Sequence, residues 1–309
     1  MGKVVTNRQA GKPRVRGHAL ASASILSLAV MAVGAKAQPT GGSVVAGQAQ
    51  ISAAGANTLI NQTTSKAIIN WQSFSVGQGG TVQFNQPNSS AITLNRVTGA
   101  SASTIDGAIR ANGQVWLLNP NGLLFGNGAT INVGGLLATT SDINDQDFLS
   151  SRYNFSSTSG KGSITNNGTI TAANGGSVVL SSSSVSNTGI IQANTGHVVL
   201  GGTDTFTVDF AGDHLLNYAI SPNSAGGKVL NSGKIAAAGG AILMTARAAQ
   251  GVQDAVVNNT GMVQATSVRQ ENGEIILEAD NGTVANSGTL DASGKGAGQS
   301  GGTVKLLGQ

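Results

Sequence analysis

Four side chains able to do acid–base chemistry crowd one short stretch: Asp204, Asp209, Asp213 and His214. Two carboxylates can share the roles of general acid and general base in cutting a sugar chain, so a carbohydrate-active enzyme is one function to weigh. No Lys or Arg stands among them to hold an acidic sugar, and the stretch reads better as a solvated loop or short extra strands. A second group, Asp142, Asn144, Asp145 and Asp147, resembles a hard-cation loop but lacks its turn glycine and closing Glu. The run 296–301 fits G-x-G-x-x-G, a match expected by chance among 45 glycines, and Gly294-Lys295 lacks the Ser or Thr of a phosphate loop. His197 sits in a repeated strand, where an outward-facing position is expected. With no Cys, and only two His after position 37, no thiol or metal site forms a pattern. The reading is a scaffold with no catalytic residue, no metal and no cofactor.

Charge excludes another class. The chain carries 17 Lys and Arg against 13 Asp and Glu, but Lys3, Arg8, Lys12, Arg14, Arg16 and Lys36 all precede position 38. The remainder is slightly acidic, with no basic cluster to neutralise phosphates, so no nucleic-acid partner is expected. The basic start, the apolar stretch 20–33 and the triplet Ala35-Lys36-Ala37 read as a secretory signal peptide over 1–37, handled by the Sec machinery and cut between Ala37 and Gln38. The apolar stretch is too short to span a bilayer. A chain that leaves the cytosol without Cys must be stabilised by repetition and burial, or must stay unfolded while it travels.

The repetition is visible. A pattern of N-x-G-x-aliphatic-x-A, a Gly-rich corner, then two aliphatic residues and Leu recurs around Gly168, Gly189, Gly233, Gly261 and Gly288, at spacings of 21, 44, 28 and 27 residues. The long interval contains one insertion, 203–223. Periods of this length indicate a solenoid. The short strands without an intervening amphipathic helix, and the missing L-x-x-L-x-L framework, indicate a β-helix. Stacked coils place equivalent residues about 4.8 Å apart, so aliphatic ladders and hydrogen-bonded Asn ladders are expected inside. The corner glycines are expected to supply positive φ.

The first half is less regular and carries more specific words: Asn70-Trp71-Gln72-Ser73-Phe74, LNRVTG at 94–99, NPNG at 119–122 and VGGLLA at 133–138. This run resembles the filamentous-haemagglutinin N-terminal domain, the secretion domain of two-partner-secretion exoproteins. The resemblance covers about 38–150, and the repeats over 151–309 continue its style, ending on an uncovered strand as a chain truncated relative to larger relatives would. It implies an all-β, right-handed parallel β-helix with a few extra-helical β-hairpins. It also implies export through an outer-membrane β-barrel transporter whose periplasmic domains recognise this module. The destination is then secreted or cell-surface, by way of the periplasm. An adhesin role, with host-cell or bacterial surface receptors, is the implied activity, and delivery of a C-terminal toxin is the alternative.

Asn119-Pro120-Asn121-Gly122 fits a type I turn. It either stabilises the fold or touches the transporter, with Trp116, Leu117 and Leu118 expected to pack on one side and Leu123, Leu124 and Phe125 on the other. The family's NPNL motif is not present as such. Gln86, Pro87 and Asn88, with Asn95 and Arg96, are the candidates for a secondary motif.

Overall fold

The computed structural model describes residues 1–2, 37–158, 162–209, 217–248, 255–268 and 271–308. Most of the expected signal peptide, together with Asp213 and His214, therefore lies outside the described residues. The chain divides into two units, Met1–Gly34 and Ala35–Gln309, and all that follows concerns the second.

Its strands wind as a parallel β-helix with three faces. One coil shows the plan: Gln114–Leu118 on the first face, Leu123–Phe125 on the third, Thr130–Val133 on the second, then Gly135–Thr139 back on the first beside Gln114–Leu118. Among the described residues the first and second faces each hold ten strands and the third holds seven. At the N-terminal end Ser43–Ala46 and Ala49–Ala54 pair antiparallel to their neighbours. They cover the first coil edges, which would otherwise present unpaired backbone groups.

Register makes the interior. On the first face Val115, Leu136, Val178, Val198, Ile242 and Ile275 stack strand upon strand. On the second, Ile109, Ile131, Ile170, Ile191, Ile235 and Val263 do the same. These columns form one continuous buried core. On the third face a column that begins with Ile105 and Phe125 changes to Asn166, Asn187, Asn231, Asn259 and Asn286. Each amide donates to the next: Asn166 Nδ2 to Asn187 Oδ1 at 2.8 Å, then three further links at 2.7 Å. The ladder satisfies side chains that burial would otherwise penalise.

The Gly-rich corners meet the expectation at Gly175 and Gly239, which have positive φ, while the marker glycines answer a different demand. None of Gly168, Gly189, Gly233, Gly261 and Gly288 has positive φ. They stack directly, and a methyl group on Gly189, Gly233, Gly261 or Gly288 would collide with the carbonyl of the glycine one coil before. Close approach of successive corners, not left-handed backbone, requires glycine there.

Strand alternation sends the middle residue of each aliphatic triplet outward, and on the first face Val179 and Val199 are buried on that side too, while Leu243 and Ile276 are half-buried. Ile68, Leu94, Trp116, Leu137, Val179 and Val199 form a second apolar cluster under an antiparallel sheet ordered Asp142–Ile143, Tyr153–Ser156, Phe206–Asp209, Asn217–Ile220. A short helix, α1 (Asp145–Leu149), joins the first two of these strands. The described residues of the insertion thus include two extra strands, and Asp209 lies on one of them. Trp116 packs edge-on against Phe148 and Tyr153, and Phe155 stacks on Phe206 at 4.6 Å. Trp116, Leu117 and Leu118 therefore do not share a side: Leu117 enters the main core, while Trp116 and Leu118 face the extra sheet. Leu124 is likewise turned outward between buried Leu123 and Phe125.

The ladder generates a graded prediction. Asn231→Ala removes two links and strands Asn187 Nδ2 and Asn259 Oδ1 in a buried row, and should cost about 2 to 4 kcal/mol. Asn286→Ala, at the exposed end, should cost under about 1 kcal/mol. Urea unfolding midpoints of the two variants check the order.

Candidate functional site

The NPNG corner is built by a backbone that must leave the first face and enter the third within four residues. Gly122 N donates to Asn119 O at 3.0 Å, closing the turn. Asn121 does not have positive φ, as a type I turn requires. Gly122 has φ +108°, and a methyl there would press on Ser163 backbone atoms of the next coil at 2.9 Å, so glycine is needed on both counts.

The two asparagines do different work. Asn119 is fully buried. Its Nδ2 donates to Ser101 O at 3.0 Å and Ser103 Oγ at 2.9 Å, and its Oδ1 accepts from Asn121 N at 2.9 Å. It plugs a corner that has no other way to satisfy those groups. Asn121 is exposed, and its Nδ2 reaches Gly99 O at 2.9 Å. That bond ties NPNG to the end of LNRVTG. Between the two motifs lies a hollow of about 450 Å³ lined by residues 96–100, Leu118, Pro120, Asn121, Ser141 and Asp142.

Arg96 forms the wall where the helix meets the extra sheet. Its guanidinium is bonded to Asp142 at 2.8 Å, Asp145 at 2.7 Å and the Ile143 carbonyl at 2.7 Å. Burial opposes its charge, but the two carboxylates more than offset that, and its pKa is raised. Lys66 holds the far end of α1, donating to Phe148 O at 2.7 Å, Leu149 O at 3.1 Å and Ser151 Oγ at 2.7 Å. Helix C-terminal carbonyls need such donors. Two cations from first-face strands thus grip the segment 142–156.

This accounts for the acidic run at 142–147. Asp142 and Asp145 bind Arg96, Asn144 caps α1 by accepting from Gln146 N and Asp147 N, and Asp147 pairs with Arg152 at 2.6 Å. The oxygens that resembled a cation loop are engaged in folding. Asp204 is similarly occupied, accepting from Thr205 Oγ1 and Ala225 N.

The secondary motif separates into three places. Gln86 is buried at a different corner, between second and first faces, where its Nε2 donates to Ala91 O, Thr93 Oγ1 and Gln114 O and its Oε1 accepts from Gly113 N. Pro87 and Asn88 are exposed there, and none of the three lines the hollow. Asn95 points into the core, accepting from Trp71 Nε1 at 3.0 Å and donating to Trp116 O at 3.2 Å. Arg96 alone reaches the NPNG corner. Ala37 and Gln38 lie at the N-terminal cap, with Gly77 N donating to Ala37 O. Sequence reading missed Lys66 and Ser141, and quoted Gly99 only as the end of LNRVTG. Arg96 did carry a signal beyond its motif, being the sole charged residue between Lys66 and Asp106.

The family model for the TPS secretion domain matches residues 35–292. A heme/hemopexin-binding protein of Haemophilus influenzae is 36% identical over 251 residues, covering 78% of this chain and 27% of that protein. The chain thus spans about a quarter of the length of the curated relatives it matches. Among solved structures, the HMW1 secretion domain of Haemophilus influenzae is similar with a TM-score of 0.69 at 31% identity, covering 87% of this chain and 74% of that one. The filamentous hemagglutinin secretion domain shares the fold, with a TM-score of 0.52 at 18% identity over 87% of this chain and 99% of the other.

Two measurements check the assigned roles. Asn119→Ala should cost about 2 to 3 kcal/mol by leaving buried partners unpaired, and Asn121→Ala under about 1 kcal/mol. Arg96→Met should speed amide hydrogen exchange over 142–156 several-fold while leaving the second-face strands protected, because it releases the extra sheet and not the coil stack.

Proposed function

The chain belongs to the TPS secretion-domain family, the export module of two-partner-secretion exoproteins, and we propose that the NPNG corner with its adjoining hollow is the surface its outer-membrane partner reads. Exoproteins of this family are secreted by way of the periplasm, so the signal peptide would hand the chain to the Sec machinery first. The periplasmic domains of the β-barrel transporter would engage it next. One observation carries the reading. The exposed amide of Asn121 joins NPNG to LNRVTG through Gly99, so both family motifs meet at one solvent-facing hollow. Arg96 is held by its carboxylates, and the hollow offers a partner hydrogen-bonding groups of the turn and strand rather than a free cation.

A module that folds as stacked coils can also template the strands that follow it. On this reading the module directs export, and the activity of a longer protein resides beyond it. That activity is adhesion to a host or bacterial surface, or haem or hemopexin capture of the kind named for the Haemophilus influenzae relative. The family membership supports a non-catalytic role.

Export assays separate the structural role of NPNG from a recognition role. The chain would be expressed in a Gram-negative host with and without its partner transporter, and the medium and periplasm assayed. Partner-dependent appearance in the medium is expected for the unaltered chain. Asn121→Ala should lower the exported amount about tenfold, equivalent to about 1.4 kcal/mol of recognition, with an unfolding midpoint close to that of the parent. A normal exported yield from this variant would leave NPNG a purely structural corner.

A further inference from the structure

Asparagine followed by glycine is a chemically labile step, because glycine has no side chain to shield its nitrogen from the asparagine amide carbon. The chain has seven such steps, at Asn112, Asn121, Asn127, Asn167, Asn174, Asn272 and Asn281. The fold disarms four of them by engaging the glycine N–H. Gly113 N donates to Gln86 Oε1 at 2.9 Å and Gly122 N to Asn119 O at 3.0 Å. Gly168 N donates to Asn166 Oδ1 at 3.2 Å and Gly175 N to Asn194 O at 2.9 Å. At two more the glycine is enclosed. Gly273 and Gly282 are buried, a methyl group on Gly273 would collide with Ala265 O, and Asn281 is held at φ 57° with its Nδ2 donating to Asp280 Oδ1 at 2.9 Å. Asn127-Gly128 differs from all six. Both residues are exposed, at the centre of the turn that Ala129 N closes by donating to Gly126 O at 2.9 Å. Among the described residues neither the Asn127 side chain nor Gly128 N has a hydrogen-bond partner.

We propose that Asn127 is a modification site, where the folded chain converts to aspartate and isoaspartate. The nitrogen of Gly128 attacks Asn127 Cγ. A nitrogen–Cγ bond forms, the Cγ–Nδ2 bond breaks, the amide proton of Gly128 passes through solvent to the departing nitrogen, and ammonia leaves behind a cyclic imide. Solvent water then opens the ring. Addition at Cγ yields aspartate, and addition at the main-chain carbonyl carbon yields isoaspartate, which lengthens the backbone by one atom. No oxidant or reductant takes part. The coil geometry permits both products. Phe125 pairs with Ile105 and Thr130 with Ala108, so residues 126–129 cover a corner that 106–107 cover in the coil before. Asn127 and Gly128 are thus an excursion from the stack, free to change without displacing a column. The product adds a negative charge to a corner that already holds one, since a methyl group on Gly126 would collide with Asp106 Oδ1. Like charges that close repel.

The test uses the full chain, purified folded from a Gram-negative host and held at mildly alkaline pH, beside a second sample held in urea. Both are digested at mildly acidic pH, where the reaction is slow. The tryptic peptide 111–152, bounded by Arg110 and Arg152, carries Asn112, Asn121 and Asn127 together, so two tethered steps serve as internal controls for the exposed one. Fragment masses locate each exchange of NH for O, and enzymatic methylation reports isoaspartate. In the folded chain Asn127 should convert at least about tenfold faster than Asn112 or Asn121, whose glycine nitrogens are freed only by local opening. In urea the three should convert within about threefold of one another, the tethers being gone. Asn127→Gln, whose longer side chain disfavours the ring, should remove the isoaspartate signal from the folded peptide. Equal conversion of the three in the folded chain overturns the proposal. So does an Asn127 that keeps its amide there while all three convert in urea. None of these outcomes depends on the transporter.

Discussion

Everything in this fold follows from one constraint: each coil must lie directly on the last, so a side chain meets its own equivalent about 4.8 Å away. Like charges cannot be stacked at that distance without repulsion, which is why the interior columns are aliphatic or amide. Shape is constrained as tightly as charge. The corner glycines sit where one coil's carbonyl fills the space that a methyl group in the next would need. The coil can only be as wide as its tightest corner allows.

The NPNG corner is this constraint at its most demanding. Between two runs of large apolar residues the chain must turn from the first face to the third, and every backbone group there needs a partner. Asn119 provides it from within the turn, and the glycine at position 122 lets the next coil close over it. Once Asn119 has sealed the inside, Asn121 is left facing solvent, and its bond to Gly99 holds the rim of the hollow in one shape. Burial thus divides two residues of the same type into a structural one and an accessible one.

Much of the helix was legible because its information is local and repeated. The recurring aliphatic triplets and the Asn before each marker glycine report a column directly, since a repeat in sequence is a stack in space. The extra sheet was less legible. Its aromatic cover is drawn from two segments far apart, Tyr153 and Phe155 in one and Phe206 in the other, and it meets Trp116 on an outward position that looks like core in the linear sequence. The hollow was hidden for the same reason, its walls running from Arg96 to Asp142. The acidic run at 142–147 was set aside as a cation loop, but its own role stayed hidden, because carboxylates that grip a guanidinium and carboxylates that grip a cation follow similar spacing; only the position of Arg96 distinguishes them. The positive φ of the Gly-rich corners was legible, as at Gly175 and Gly239, but the marker glycines were found without their reason, since steric approach between coils leaves no trace in a single repeat.

The asparagine row has a direction. Every amide in it points its nitrogen toward the C-terminal neighbour, and the first member, Asn166, is set by its own corner, where Gly168 N donates to Asn166 Oδ1 at 3.2 Å. No single member can reverse without placing two nitrogens or two oxygens face to face. Orientation is therefore inherited along the row like the lean of a line of dominoes, and the terminal amide at each stage offers a donor to whatever is laid down next. A solenoid that looks the same at every level is, at this edge, polar from one end to the other.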